Sequence, residues 1–175
     1  MERFEKKEQP CRLRGEFILT AHYVKGEKKG QREVLVEDHN IITDVGLELG
    51  IGAIGGLGEG IKKWQFGEGL SSWDTTPPAE DPATTALVTP IAPVKAINVR
   101  YWDDVAEDFS VTPTDTLDVR AVFNADDANG DLREFTIWGT ATEDVMFNYV
   151  IHDKIVKTDV YNLECIIRFT LERTP

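Results

Sequence analysis

The run Tyr161-Asn162-Leu163-Glu164-Cys165-Ile166-Ile167-Arg168-Phe169-Thr170-Leu171 carries the strongest structural signal in the chain. Tyr161, Leu163, Cys165, Ile167, Phe169 and Leu171 take every second position, and the residues between them are polar apart from Ile166. A period of two sends alternate side chains to opposite faces of an extended backbone, so the run predicts a strand with one buried face. The same alternation recurs at Phe17, Leu19, Ala21 and Tyr23, at Leu117, Val119, Ala121 and Phe123, and at Val145, Phe147, Tyr149 and Ile151. Shorter versions lie at 34–36, 61–66, 96–101, 109–111 and 132–138. Lys25-Gly26-Glu27-Lys28-Lys29-Gly30 and Asp126-Asp127-Ala128-Asn129-Gly130-Asp131 read as hairpin-like turns, and Glu143-Asp144 as a third. Many short strands with turn chemistry between them predict a mainly β chain: an antiparallel β-sandwich-like domain.

One segment departs from this period. Asn40-Ile41-Ile42-Thr43-Asp44-Val45-Gly46-Leu47-Glu48-Leu49 predicts a short helix over about 43–54, with Thr43 or Asp44 as its cap. Glycines at 50, 52, 55, 56, 58 and 60 keep it short. Further on, Ser71–Pro93 holds Pro77, Pro78, Pro82, Pro90 and Pro93, which bars it from a central strand. It predicts an extended loop or arm wrapped over a partner. The expected organisation is an N-terminal arm over residues 1–14 and a single β domain over 15–175, with the proline-rich extended loop at 71–93.

Charge narrows the function. The 175 residues carry a net charge of −12, and the first 33 carry +3, leaving −15 on the rest. Phosphate contacts need a basic face, so nucleic-acid binding is not expected. A mildly basic arm on an acidic body suits attraction to a neighbouring copy. No apolar run approaches the roughly 20 residues of a membrane-spanning helix, and the charged start Met1–Glu8 carries no signal-peptide pattern. Cys11 and Cys165 do not make a disulfide framework, which points to folding in a cytoplasm; Cys165 lies on the apolar face of its strand and reads as a small buried hydrophobe.

The motifs that might carry chemistry fall short. Gly50-Ile51-Gly52-Ala53-Ile54-Gly55 matches G-x-G-x-x-G, but a helix precedes it where a dinucleotide site needs a strand. Asp127-Ala128-Asn129-Gly130-Asp131 has the oxygen ligands of a calcium loop, yet Trp138 stands where the closing carboxylate belongs. His22, His39 and His152 show no zinc spacing. No catalytic residue, metal or cofactor is therefore expected. Trp64 and Trp138 sit in strand patterns and read as core, while Trp73 and Trp102 stand beside acids and read as exposed or interface positions. With the two extensions, the interface candidates are Arg12, Arg14, Trp73, Pro77, Pro78, Pro82 and Trp102. Tryptophans on one exposed face would instead suit a carbohydrate-binding β-sandwich that recognises a host surface glycan.

The order of several segments resembles a known group. Asn40–Leu47 is similar to an N-x-I-T-x-x-G-L opening, and Phe66-Gly67-Glu68-Gly69 leading to Thr85-Ala86-Leu87 is similar to a G-x-G…P…D-T-x-L segment, with Thr84-Thr85 in place of aspartate-threonine. Leu132–Gly139 resembles an E-x-G-L-F strand, with Phe135-Thr136-Ile137 in place of glycine-leucine. Val145–Tyr149 and Lys154–Thr158 follow in turn. Over roughly 34–173 this succession resembles tailed-bacteriophage virion structural proteins, found as tail-fibre or baseplate-attached modules and as small head- or tail-associated proteins. The resemblance implies a non-enzymatic, homo-oligomeric building block: a tail, baseplate, neck or fibre-attachment piece, or a capsid decoration protein. Its partners would be other virion proteins and copies of itself, and its place the virion, assembled in the host cytoplasm.

Overall fold

A computed structural model describes residues 11–57, 59–140 and 144–173. In chain order the elements are β1 (Cys11–Tyr23), β2 (Arg32–Ile42), α1 (Asp44–Ile54), β3 (Gly60–Gly67), a 3-10 turn (Ser71–Asp74), β4 (Lys95–Ala96), β5 (Asn98–Asp103), β6 (Asp108–Ser110), β7 (Thr116–Phe123), β8 (Gly130–Thr140), β9 (Asp144–Met146), β10 (Asn148–Lys157) and β11 (Tyr161–Arg173). Among the described residues the eleven strands form one antiparallel sheet, in the order β4-β3-β8-β10-β2-β1-β11-β7-β5-β6, with β9 paired to β8. The mainly β, sandwich-like expectation holds.

Two corners fold this sheet on itself. β2 meets β10 through two residue pairs only, Ile42 opposite Asn148 and Ile41 opposite Tyr149. On the other side β4 and β5 are separated by the single residue Ile97, so one stretch of chain pairs with β3 in one half and with β7 in the other. Strands that switch partners at such bends turn a wide sheet into two facing layers. The layers meet through aromatic contacts: Phe17 of β1 lies 5.1 Å from Phe135 of β8, and Phe66 of β3 lies 5.0 Å from Phe123 of β7. Trp64 stacks on Phe135 at 4.7 Å. Leu163, Cys165, Ile167 and Phe169 of β11 fill the same core, and each large side chain buried there contributes about 1.5–3 kcal/mol.

Several expectations need correction. Leu171 continues the alternation but is exposed, because it lies at the far end of β11 opposite Leu13 of β1, itself exposed. Cys11–Arg14, assigned to the N-terminal arm, belong to β1 and pair along β11 up to Arg173; the rest of that arm lies outside the described residues. Residues 145–151 split at Phe147 into β9 and β10, and Val150 is buried as well as Tyr149. The turn at 126–131 is not a hairpin, since β7 and β8 lie in opposite layers.

α1 forms as expected, and its cap is Thr43, whose hydroxyl accepts from Gly46 N at 3.0 Å while donating to the carbonyl of Met146. The proline-rich segment is a loop, but it lies against its own domain. Glu68 N and Ile91 N bond to Thr89 O and Phe66 O, each at 2.8 Å, and Asp44 N bonds to Pro82 O at 2.9 Å.

Candidate functional site

Several of the chain's polar and charged groups are engaged in holding the structure. In the loop after β7, the calcium-like oxygens of Asp127, Asn129 and Asp131 are drawn to three different cations, Lys95, Lys157 and Arg133. Lys157 is buried, and its ammonium donates to Asn124 O, Ala125 O, Thr158 O and Asn129 Oδ1 at 3.0–3.3 Å. Asp127 is turned away to Lys95 at 2.6 Å and to Asn124 N at 2.7 Å. With its oxygens committed to these separate cations, the loop does not converge them on one point as a calcium site requires. Among the described residues no group of three or more His, Cys, Asp or Glu side chains is arranged to hold a metal. Gly50 and Gly52 lie inside α1, so the G-x-G-x-x-G motif forms no phosphate loop.

A cleft of about 600 Å³ lies where β2 faces β10 and includes Asp38, Trp73, Asp74, Arg133, His152 and Lys154 in its lining. Arg133 is buried and donates to both carboxylate oxygens of Asp74, at 2.6 and 3.2 Å, and to Asp131 at 2.9 Å. Lys154 adds a contact to Asp74 at 2.7 Å. The hydrogen bonds from Arg133 and Lys154 hold the Asp74 carboxyl well below the usual carboxylate range. His152 lies in the wall, with its ring 5.9 Å from Phe135 and 6.2 Å from Phe66. Nearby, Glu80 accepts from Ile151 N at 2.8 Å, and burial pushes its pKa up. These contacts clamp the 71–93 segment to β8 and β10.

The outer face of the β1–β11–β7–β5 layer holds a second charged network. Asp118, fully buried, takes Arg120 at 2.5 Å and Arg168 at 3.4 Å. Glu164 takes His22, Arg32 and Arg120 at 3.0–3.5 Å. The Arg168 guanidinium lies 3.8 Å from the Trp102 ring centre, and Arg100 and Arg120 each lie 4.6 Å from that of Phe109. Trp102, expected to be exposed or at an interface, is only 7% exposed: Phe109 and Arg168 cover it.

The other interface candidates are accessible. Arg12 is exposed on β1, and Arg14 pairs with Glu16 at 2.5 Å and Glu172 at 3.8 Å. Pro77, Pro78 and Pro82 are exposed on the clamped loop, and Trp73, in the same segment, is half-buried. Trp64 is buried and Trp138 half-buried, so none of the four tryptophans is exposed.

One surface was missed from sequence. On α1, Leu47, Ile51 and Ile54 are 53%, 71% and 86% exposed, and Leu57 just beyond is 72% exposed. Positions i, i+4 and i+7 share one face of a helix, so these side chains form an apolar stripe turned to solvent. The opposite face docks through Gly46, whose Cα approaches the Phe147 carbonyl, and Leu49, seated on Gly139. Leu47 also borders a groove of about 570 Å³ lined by Arg12, Leu13, Arg14, Ile41 and Ile42. No protein-family model, curated protein or solved structure matches the chain.

Proposed function

We propose that the chain is a non-enzymatic building block of a tailed-bacteriophage virion, acting through contacts with other virion proteins and with copies of itself. It would serve as a tail, baseplate, neck or fibre-attachment component, or as a head decoration protein. The observation that carries the assembly role is the exposed apolar stripe on α1. A surface of large aliphatic side chains on a docked helix gains stability only when another surface covers it. The placement in a virion comes from the order of segments that resembles those structural proteins. The internal engagement of Arg133, Asp74, Lys157, Asp118 and Glu164 accords with a scaffold role, since each holds two parts of the chain together. A glycan-binding reading has less support, because Trp64 and Trp102 are buried and offer no ring to a sugar. Mass spectrometry of purified particles of the phage carrying this gene tests the proposal. The chain should be present at a copy number matching a symmetric array; its absence from intact particles would overturn the assignment.

A further inference from the structure

Resting on that assembly reading, we infer that the α1 stripe and its neighbouring groove form a self-complementary surface occupied by a second copy of this chain. The helix from Asp44 to Ile54 carries the acids Asp44 and Glu48 and no base. At about 100° per residue, both acids fall along one flank of the Leu47–Ile51–Ile54 stripe. The groove that begins at Leu47 is lined by the apolar Leu13, Ile41 and Ile42, by the cations Arg12 and Arg14, and by the carboxylate of Glu172. Among the described residues Arg12 is exposed and has no ion-pair partner, whereas Arg14 is shared by Glu16 and Glu172. An apolar helix with an acidic flank thus fits an apolar groove that offers Arg12 as its uncommitted cation, and the two lie side by side on one molecule. A two-fold axis beside Leu47 places each helix in the other copy's groove and covers both at once, which closes the assembly as a dimer. Glu48 or Asp44 of one copy then meets Arg12 of the other, which sets the register more than the affinity.

Sedimentation velocity of the full chain across a broad concentration series tests this. The wild type should form a dimer, and Ile51→Asp, at an already exposed position, should weaken dimerisation at least about tenfold while leaving the circular dichroism spectrum unchanged. Glu48→Arg and Arg12→Glu should each weaken it, and the double variant should restore it. A double variant no better than either single change overturns the helix-in-groove register. A dimer indifferent to Ile51→Asp, or open-ended oligomers, overturns the inference as well. A monomer that dimerises once residues 1–10 are removed assigns the groove to that segment instead, and a monomer that binds another particle protein through α1 assigns it to that protein. A monomer throughout overturns this inference alone if the chain is nevertheless found in purified particles; absence from particles overturns the assembly reading itself.

Discussion

His152 shows how a single ionisable side chain ties stability to pH. Its Nδ1 lies 2.8 Å from the Asp153 carbonyl, which can only accept, so Nδ1 carries the proton. Nε2 is buried without a hydrogen-bond partner among the described residues. Protonating it would create a charge facing Phe66 and Phe135, and burial accordingly pulls its pKa from 6.5 down to about 4. The unfolded chain therefore takes up this proton at higher pH than the folded one. This group's contribution to stability should be constant above about pH 6.5 and should fall by about 3 kcal/mol as the pH drops towards 4. Glu80 works in the opposite sense, because its pKa is raised on folding. Urea midpoints of the wild type and His152→Phe, compared at several pH values, separate the two. The variant should show a flatter acid limb, and an unchanged slope would contradict the account. The histidine was visible in sequence, but its burial was not: it follows Ile151 at the point where the β8–β10 register shifts, which simple alternation does not anticipate.

The helix α1 was legible in its boundaries and its cap but not in its orientation. Thr43 and the glycines after Leu49 mark where it starts and stops, and the apolar spacing of Leu47, Ile51 and Ile54 is a helical face by any reading of the sequence. Such a face normally points to the core, yet here the small residue Gly46 does, because only a bare Cα lets the helix approach the Phe147 carbonyl. Gly46→Ala would gain roughly 1 kcal/mol in helix propensity, but its methyl would overlap a backbone oxygen that cannot move aside. The overlap wins, and the variant should lose at least about 2 kcal/mol by urea denaturation. Gly50→Ala, where nothing among the described residues lies within 4 Å, should instead gain up to about 1 kcal/mol. Equal effects at the two positions would refute the close-approach argument. The proline-rich loop was legible as a loop but not as a clamped one, since Asp74 and Arg133 lie 59 residues apart in sequence. Because Arg133 and Lys154 keep Asp74 ionised well below the ordinary carboxylate range, the clamp should persist into mildly acidic solution. Asp74→Ala should release the segment, and limited proteolysis should then cut within 75–85 much faster than in the wild type. Unchanged protection there would mean that the backbone bonds at Thr89 and Ile91 hold the loop unaided.

The strands were most legible where one face is buried, as in β1, β7 and β11, where period two survives almost without interruption; β8 buries both faces from Leu132 to Ile137 and reads less clearly. Their order was not, because it depends on pairings between segments far apart in the chain, above all β1 with β11. The docking surface was hidden for the same reason: Arg12 and Leu47 border one groove only after β1 and β2 have paired. That topology makes a claim about cooperativity. The layers share few backbone bonds at the β2–β10 corner, two residue pairs, so they are joined chiefly by side chains. Phe135 of one layer touches Phe17 of the other and stacks on Trp64, while Phe66 touches Phe123. Neither layer can keep its apolar face covered once the other leaves, so the chain should unfold in one step. Tryptophan fluorescence, with Trp64 in one layer and Trp102 in the other, should give the same urea midpoint as far-ultraviolet circular dichroism. Phe135→Ala removes the ring at the centre of the contact and should cost about 3–5 kcal/mol, shifting both signals together. If the two probes separate, in the wild type or in the variant, the layers are stable independently and the shared core is not what unites them.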